Sequence, residues 1–273
     1  MIDFLRNFDP LTQTLIATAF TWGMTALGAA VVFVLKDFNA KVLDMMLGFA
    51  GGVMISASFW SLLAPAVSLC QGKGIPCWFP AVVGFALGAA VLRGIDFILP
   101  HLHPGLALEK AEGARTRWRR STLLVLAITM HNIPEGLAIG VVFGVAGSGL
   151  GYASLAGAVA LTVGLGIQNL PEGLAVSMPL RREGMSRLKS FWYGQLSAIV
   201  EPLAGIIGVV GVAASRSLMP YALGFAAGAM IYVVIEEVIP ESQTRGNSDI
   251  ATLGTIIGFI LMMILDVSLQ QIS

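Results

Sequence analysis

Long stretches without charge constrain this chain more than any other feature of its sequence. Residues 11–35 contain no Asp, Glu, Lys or Arg, and residues 121–180 carry only His131, Glu135 and Glu172 as ionisable side chains. A helix that crosses a bilayer needs about 20 apolar residues. Charged residues make up 12% of the chain, whereas a soluble domain has about 25%. The chain is therefore predicted to be an all-α polytopic membrane protein.

Eight segments are apolar enough to cross a membrane. The 121–180 stretch holds two of them, divided near residues 147–149 (Gly-Ser-Gly). The N-terminus carries Asp3, Arg6 and Asp9 and lacks the basic start of a cleavable signal, so the first helix is expected to be retained. We predict a single transmembrane domain, residues 1–273, with helices at about 11–35, 43–67, 77–99, 121–146, 153–180, 190–213, 217–240 and 250–270.

The distribution of basic residues predicts the orientation in the membrane. Twelve of the 16 Lys and Arg residues fall in the loops after the first, third, fifth and seventh helices; three fall on the other side, and Arg93 lies within the third helix. Cytoplasmic loops carry an excess of Lys and Arg. Both termini are therefore expected outside the cytoplasm, with the chain in the cell (cytoplasmic or inner) membrane. The net charge of zero gives no reason to expect a nucleic-acid partner.

The two cysteines, Cys70 and Cys77, both lie in the loop after the second helix, on the predicted outer side. A disulfide in an oxidising compartment and a pair of unlinked thiols fit the sequence about equally well. Their spacing is weak evidence for a metal site.

Two pairs of segments repeat within the chain. Residues 131–140 and 168–177 share the pattern Asn-x-Pro-Glu-Gly-Leu-Ala, and residues 47–55 (LGFAGGVMI) resemble residues 223–231 (LGFAAGAMI). The members of each pair fall on helices that are predicted to run in opposite directions. We therefore predict an inverted repeat, in a 3+2+3 arrangement of helices. This plan is typical of secondary transporters that bind their substrate near the membrane midplane.

Ionisable side chains fall at membrane depth. His131 lies ten residues after Ser121, a rise of about 15 Å in a helix and so half of a hydrocarbon core about 30 Å thick. His131, Asn132 and Glu135 share one face of the fourth helix. Groups of this kind must face the interior of the bundle and find partners there. The matching residues of the fifth helix are Gln168, Asn169 and Glu172.

The two carboxylates, Glu135 and Glu172, have no neighbouring counter-charge in the sequence, because no Lys or Arg occurs between Arg120 and Arg181. A bound cation is the simplest counter-charge. Protonation of one or both carboxylates through desolvation is the alternative. Imidazole together with carboxylate suits Zn²⁺ and its transition-metal neighbours better than Ca²⁺ or Mg²⁺.

Residues on other helices extend this predicted site. Glu201, followed by Pro202 on the sixth helix, is expected to join or adjoin it. Met54 on the second helix is either a thioether ligand or a packing methionine. Pro134 and Pro171 each lack an N–H and are expected to disrupt the turn before them, which would free backbone carbonyls for ligation or water.

Five further polar residues lie near the predicted cytoplasmic ends of the helices or in the loop after the third helix. Interfacial solvation explains the carboxylates adequately, and a solvated loop explains the histidines. A role on an exit path for metal is the alternative. These residues are Asp96, His101, His103, Glu236 and Glu237.

With its paired Asn-x-Pro-Glu-Gly segments, the sequence resembles the ZIP (Zrt/Irt-like) metal transporters, most closely the GufA-like branch. The resemblance covers nearly the whole chain, including 48–54 (GFAGGVM), Glu201-Pro202 and 236–241 (EEVIPE). It implies eight helices, termini outside, and flow of Zn²⁺ and related ions (Cd²⁺, Fe²⁺, Mn²⁺ or Cu) into the cytoplasm. The metal is then a substrate, with no resident cofactor; the partners are metal ions, the lipid bilayer and, for a homodimer, a second copy of the chain.

The resemblance further implies a binuclear site, in which Glu135 and Glu172 bridge two metals. Some family members carry Asp where this chain has Asn169, so the second position is expected to bind more weakly here. Gln168 is expected close by. By position, the first metal would be held by Met54, His131, Glu135 and Glu172, and the second by Asn132, Glu135, Asn169, Glu172 and Glu201.

Two other functions compete with metal transport. An intramembrane zinc hydrolase needs a zinc with an open position for water and a base, and His131, Glu135 and Glu172 could hold one zinc. However, the chain has no HExxH motif and only three histidines. A proton-coupled carrier of an organic solute would need a cationic or aromatic pocket, which the acidic cluster does not offer. A transporter that is not an enzyme is therefore the prediction.

Overall fold

The eight predicted membrane helices are present in the structure, a computed structural model that describes residues 2–35, 38–70, 74–102, 113–114, 120–149 and 154–270. His103 lies outside these residues. The largest differences from the predicted helix ends are three residues. The helices are α1 (Pro10–Phe33), α2 (Ala40–Ser68), α3 (Trp78–Ile98), α4 (Arg120–Gly147), α5 (Leu155–Arg182), α6 (Arg187–Ala214), α7 (Arg216–Gln243) and α8 (Ser248–Gln270).

Side-chain caps set the starts of several helices. The Asp9 carboxylate accepts hydrogen bonds from the amides of Leu11 and Thr12 at the start of α1. Asn39 caps α2 and Ser154 caps α5 in the same way. Such caps satisfy amides that have no partner within the helix. They therefore fix helix ends that the apolar runs alone define only loosely.

The packing of the helices is symmetric about the middle of the chain. α2 packs along α8 as α7 packs along α3, and α1 packs along α5 as α6 packs along α4. Exchange of α1–α3 with α6–α8, and of α4 with α5, therefore maps one set of contacts onto the other. The predicted 3+2+3 arrangement relates the same helices: the first three to the last three, and the two middle helices to each other.

Glycines let the paired helices approach backbone to backbone. A Cβ atom placed on Gly52 of α2 would lie 2.0 Å from the Thr255 carbonyl oxygen of α8, and one placed on Gly228 of α7 would lie 2.0 Å from the Phe85 carbonyl oxygen of α3. Small residues allow this close packing in membranes, where the hydrophobic effect does not drive helices together. The two glycines occupy matching positions in the repeated LGFA segments.

α2 and α7 each contain one wide turn of π-helix, at Ser58–Leu63 and at Val234–Val238. Each wide turn is followed by a proline, Pro65 or Pro240. α4 and α5, by contrast, run as continuous helices through Pro134 and Pro171. Neither proline ends its helix, and the expectation that each disrupts the turn before it stays a prediction.

Candidate metal site

The polar side chains predicted as metal ligands are buried where α4 and α5 meet α1, α2 and α6. Their burial means that lipid and bulk water are kept from them, so their partners must come from the protein or from an ion. All eight are buried: Met54, His131, Asn132, Glu135, Gln168, Asn169, Glu172 and Glu201.

A chain of hydrogen bonds joins α4 to α5 and α6. The Gln168 Nε2 atom lies 2.5 Å from Oε1 of Glu135 and 2.7 Å from Oδ1 of Asn169. Asn169 Nδ2 in turn donates to Oε1 of Glu201 at 2.8 Å. Thr21 of α1 completes this series of hydrogen bonds by donating its hydroxyl to the other oxygen of Glu201. The two neutral amides thus hold two carboxylates in one connected group.

Glycine in the repeated motif permits this convergence. A Cβ atom on Gly136 would lie 2.3 Å from the carbonyl oxygen of Glu201, so α6 crosses α4 in contact with its backbone. Gly136 follows Glu135 directly. The close approach therefore brings Glu201 next to Glu135, as expected from the position of Glu201 on the sixth helix.

Asn132 faces the same region from α4. Its Nδ2 atom donates to the carbonyl oxygens of Ile128 and Ser197, both at 3.1 Å. This leaves its Oδ1 atom as a buried acceptor without a hydrogen bond in the described part of the chain. The amide is therefore oriented with its oxygen available to a cation.

Several buried oxygens lack donors. Within the described residues, neither carboxylate oxygen of Glu172, nor Oε2 of Glu135, nor Oε1 of Gln168 has a hydrogen-bond partner. A buried acceptor without a partner costs about 1–3 kcal/mol, and more when it is charged. A cation bound among these oxygens would offset that cost.

The side chains do not form a metal cluster from charged and imidazole groups alone. Within the described residues, no group of three or more His, Cys, Asp or Glu side chains is close enough to hold a metal ion. Any ion bound here must use amide oxygens of Asn132 or Gln168, or draw His131 inward.

His131 contacts a partner that the sequence did not indicate. Its Nε2 atom lies against Oε2 of Glu237 from α7, in a direct contact between two buried side chains. The interpretation of Glu237 as an interfacial, solvated residue is therefore wrong, although Glu236 beside it is 38% exposed. The wide turn at Val234–Val238 lets Glu237 face the bundle, and helical periodicity alone could not show this.

Asp96 and His101 are also buried rather than solvated. The Asp96 carboxylate lies 3.0 Å from the Arg93 guanidinium, 3.0 Å from the Tyr232 hydroxyl of α7 and 3.0 Å from His101 Nε2. His101 Nδ1 contacts the Leu99 carbonyl oxygen at 2.9 Å. The solvated-loop interpretation of His101 is wrong, because these bonds place it in a cluster that ties α3 to α7.

The fold defines a polytopic membrane protein with a cluster of acidic and amide side chains buried between its helices. The profile of the family described as ZIP Zinc transporter matches residues 107–266. The chain belongs to this family, as predicted, and since the family consists of transporters the chain is not an enzyme.

Named relatives match along almost the whole chain. The chain is 42% identical to zinc transporter ZIP11 of Bos taurus, over 97% of the chain and 99% of that protein. It is 38% identical to zinc transporter GufA of Myxococcus xanthus, over 93% and 98% of the two chains. It is also 38% identical to zinc transporter ZIPB of Bordetella bronchiseptica, over 90% of this chain and 77% of that protein. The predicted likeness to the GufA branch is confirmed.

Proposed function

We propose that this chain carries Zn²⁺ across the cell membrane into the cytoplasm through the buried cluster between α4 and α5. The observation that supports this most directly is Glu172, whose two oxygens are buried without donors in the described structure. A carboxylate in that setting needs a cation or a proton. The chain belongs to the ZIP zinc transporter family, which supports Zn²⁺ as that cation.

The ligands are proposed in two groups. Met54, His131, Glu135 and Glu172 hold the first metal, and Asn132, Glu135, Asn169, Glu172 and Glu201 hold the second, with both motif glutamates bridging. For the first group, His131 must turn from Glu237 towards Glu135. For the second, the Oδ1 atom of Asn169 must release the hydrogen bond that it now accepts from Gln168. Both changes exchange a protein partner for a metal ion.

The orientation and the range of metals follow from the charge distribution and the donor set. The basic loops lie in the cytoplasm, so both termini lie outside it. Carboxylate, imidazole, amide and thioether donors also accept Cd²⁺, Fe²⁺, Mn²⁺ and Cu ions. A homodimer in the bilayer is part of this proposal.

Uptake of zinc into proteoliposomes tests the proposal. Wild-type protein is compared with His131→Ala and Glu172→Ala, and with Glu183→Gln, a substitution at an exposed position beyond the end of α5. We expect uptake by wild type and Glu183→Gln, and loss of at least about tenfold in both site variants, the size of one lost charged contact. Wild-type rates of zinc and cadmium uptake in both variants would contradict the assignment of His131 and Glu172 to the metal site.

The hydrolase alternative receives no support. The family and the named relatives are zinc transporters. Incubation of the reconstituted protein with lipid or peptide substrates distinguishes the two activities. Cleavage without zinc uptake would reverse this assignment.

A further inference from the structure

A buried ion pair joins the start of α2 to the loop between α7 and α8. The Asp44 side chain is fully buried, and its Oδ1 atom lies 2.6 Å from Nη1 of Arg245. Its Oδ2 atom accepts a hydrogen bond of 2.8 Å from Nδ2 of Asn247. Both oxygens of this carboxylate are therefore bound by two residues of the same short loop.

The turn of the loop makes this two-point contact possible. Gly246 has φ +77°, a left-handed conformation that costs glycine little and other residues more. The chain reverses there, so Arg245 and Asn247 on either side reach the same carboxylate. The backbone carbonyl oxygen of Asn247 also accepts hydrogen bonds from the amides of Ile250 and Ala251 at the start of α8.

The same guanidinium lies beside a second buried carboxylate. Arg245 Nη2 is 3.5 Å from Oε1 of Glu241 on α7, nearly 1 Å farther than its contact with Asp44. Glu241 is one helical turn beyond Glu237, which contacts His131. A file of charged groups thus runs from the predicted site to the loop: His131, Glu237, Glu241, Arg245 and Asp44.

We propose that Arg245 is a tethered gate cation that closes the α7–α8 end of the metal pathway. This rests on the proposed function, because the pathway is the one from the cluster at Glu135 and Glu172. In the closed state Arg245 bridges Glu241 and Asp44. When a divalent metal reaches Glu241, the guanidinium withdraws to Asp44, its closer partner, and the way past Glu241 opens.

Charge and distance support withdrawal towards Asp44. Glu237, Glu241 and Asp44 carry up to three negative charges, whereas Arg245 and a protonated His131 carry two positive charges at most, so the file has room for a further cation. The 2.6 Å contact with fully buried Asp44 is the stronger of the two that Arg245 makes, and Asn247 holds that carboxylate in place. Like charges repel at short range. A metal at Glu241 therefore pushes the guanidinium away and Asp44 retains it.

A first experiment measures inhibition of uptake by zinc placed inside the proteoliposomes. Arg245→Gln removes the gate cation, so zinc on the loop side should inhibit at a concentration about tenfold lower than in wild type. Arg245→Lys should stay near wild type, as should Arg216→Gln, an exposed position at the start of α7. An unchanged inhibition constant in Arg245→Gln would overturn the proposal.

A second variant separates a gate from a structural tie. Asp44→Asn/Arg245→Gln restores neutrality in the pair without restoring the cation. A purely structural role predicts that the double variant recovers both stability and the wild-type inhibition constant. The gate predicts recovered stability with the lower inhibition constant of Arg245→Gln. Recovery of both quantities would overturn the gate.

A third measurement needs no zinc transport and so distinguishes failure of the gate from failure of the proposed function. Ser242, beside Glu241, is buried, and Ser242→Cys is nearly isosteric. In a Cys70→Ser/Cys77→Ser background, its rate of reaction with a membrane-impermeant thiol reagent added on the loop side reports the opening. We expect Arg245→Gln to raise that rate several-fold and Arg216→Gln, at an exposed position, to leave it nearly unchanged. Equal rates with and without the Arg245 guanidinium would overturn the proposal.

Discussion

Gln168 on α5 donates a hydrogen bond of 2.5 Å to Glu135 on α4 and lies 2.7 Å from the Asn169 side-chain oxygen. Gln168 occupies the position in the second motif that His131 occupies in the first. The two repeats therefore differ in chemistry at the point where they meet, since one supplies an amide donor and the other an imidazole.

Gln168→Ala should lower zinc uptake because it removes the donor that orients Glu135. A hydrogen bond to a charged group contributes about 1.5–3 kcal/mol, so we expect kcat/KM to fall at least about tenfold. Ser177→Ala, a buried position farther along α5 with a long 3.4 Å contact, is the matched control. Equal losses in the two variants would mean that Gln168 only packs.

Asn169→Asp should destabilise the metal-free protein and tighten zinc binding. The amide now donates to Glu201, whereas a carboxylate there would face Glu201 without a proton to share. We expect a loss of about 1–3 kcal/mol without metal and a zinc-induced rise in Tm larger than that of wild type. Thermal unfolding in detergent with and without zinc measures both. A smaller zinc-induced rise than in wild type would contradict the role given to this position.

Gly52→Ala and Gly228→Ala should both reduce stability, because the new methyl group would lie 2.0 Å from a carbonyl oxygen of the neighbouring helix. Gly94→Ala in α3 is the control, since no described atom lies within 4 Å of a Cβ there. Alanine in place of an open helical glycine gains about 0.5–1 kcal/mol. Unfolding temperatures should therefore fall in the first two variants and hold or rise in the third.

Asp96→Ala should destabilise the protein more than Asp96→Asn, because an amide oxygen can still accept from Arg93 and Tyr232. If Asp96 serves only as a tie between α3 and α7, KM for zinc stays constant in both variants and only the amount of folded protein falls. If KM rises in Asp96→Asn while stability holds, Asp96 belongs to the exit path that the sequence left open. Uptake normalised to folded protein decides between the two roles.

The sequence predicts the membrane helices well because long apolar runs and loop charges report directly on the bilayer. It also predicts the convergence of Glu135, Asn169 and Glu201, because each lies in or beside a proline-containing segment at membrane depth. It does not predict the contact of His131 with Glu237. That contact depends on one extra residue in a turn of α7. Such a wide turn changes the helix face on which a side chain lies, but it does not change the hydropathy pattern of the sequence.

The mirrored packing of α2 against α8 and of α7 against α3 has a consequence for energetics. If exchange of the two halves converts an outward-facing shape into an inward-facing one, the backbone contacts of the two states are nearly equal in number and kind. The bias between them must then come from positions where the halves are chemically unlike. Ser61 of α2, bound to Asp266, occupies the place that Glu237 holds in α7. Such mismatched positions therefore determine the free-energy difference between the two states.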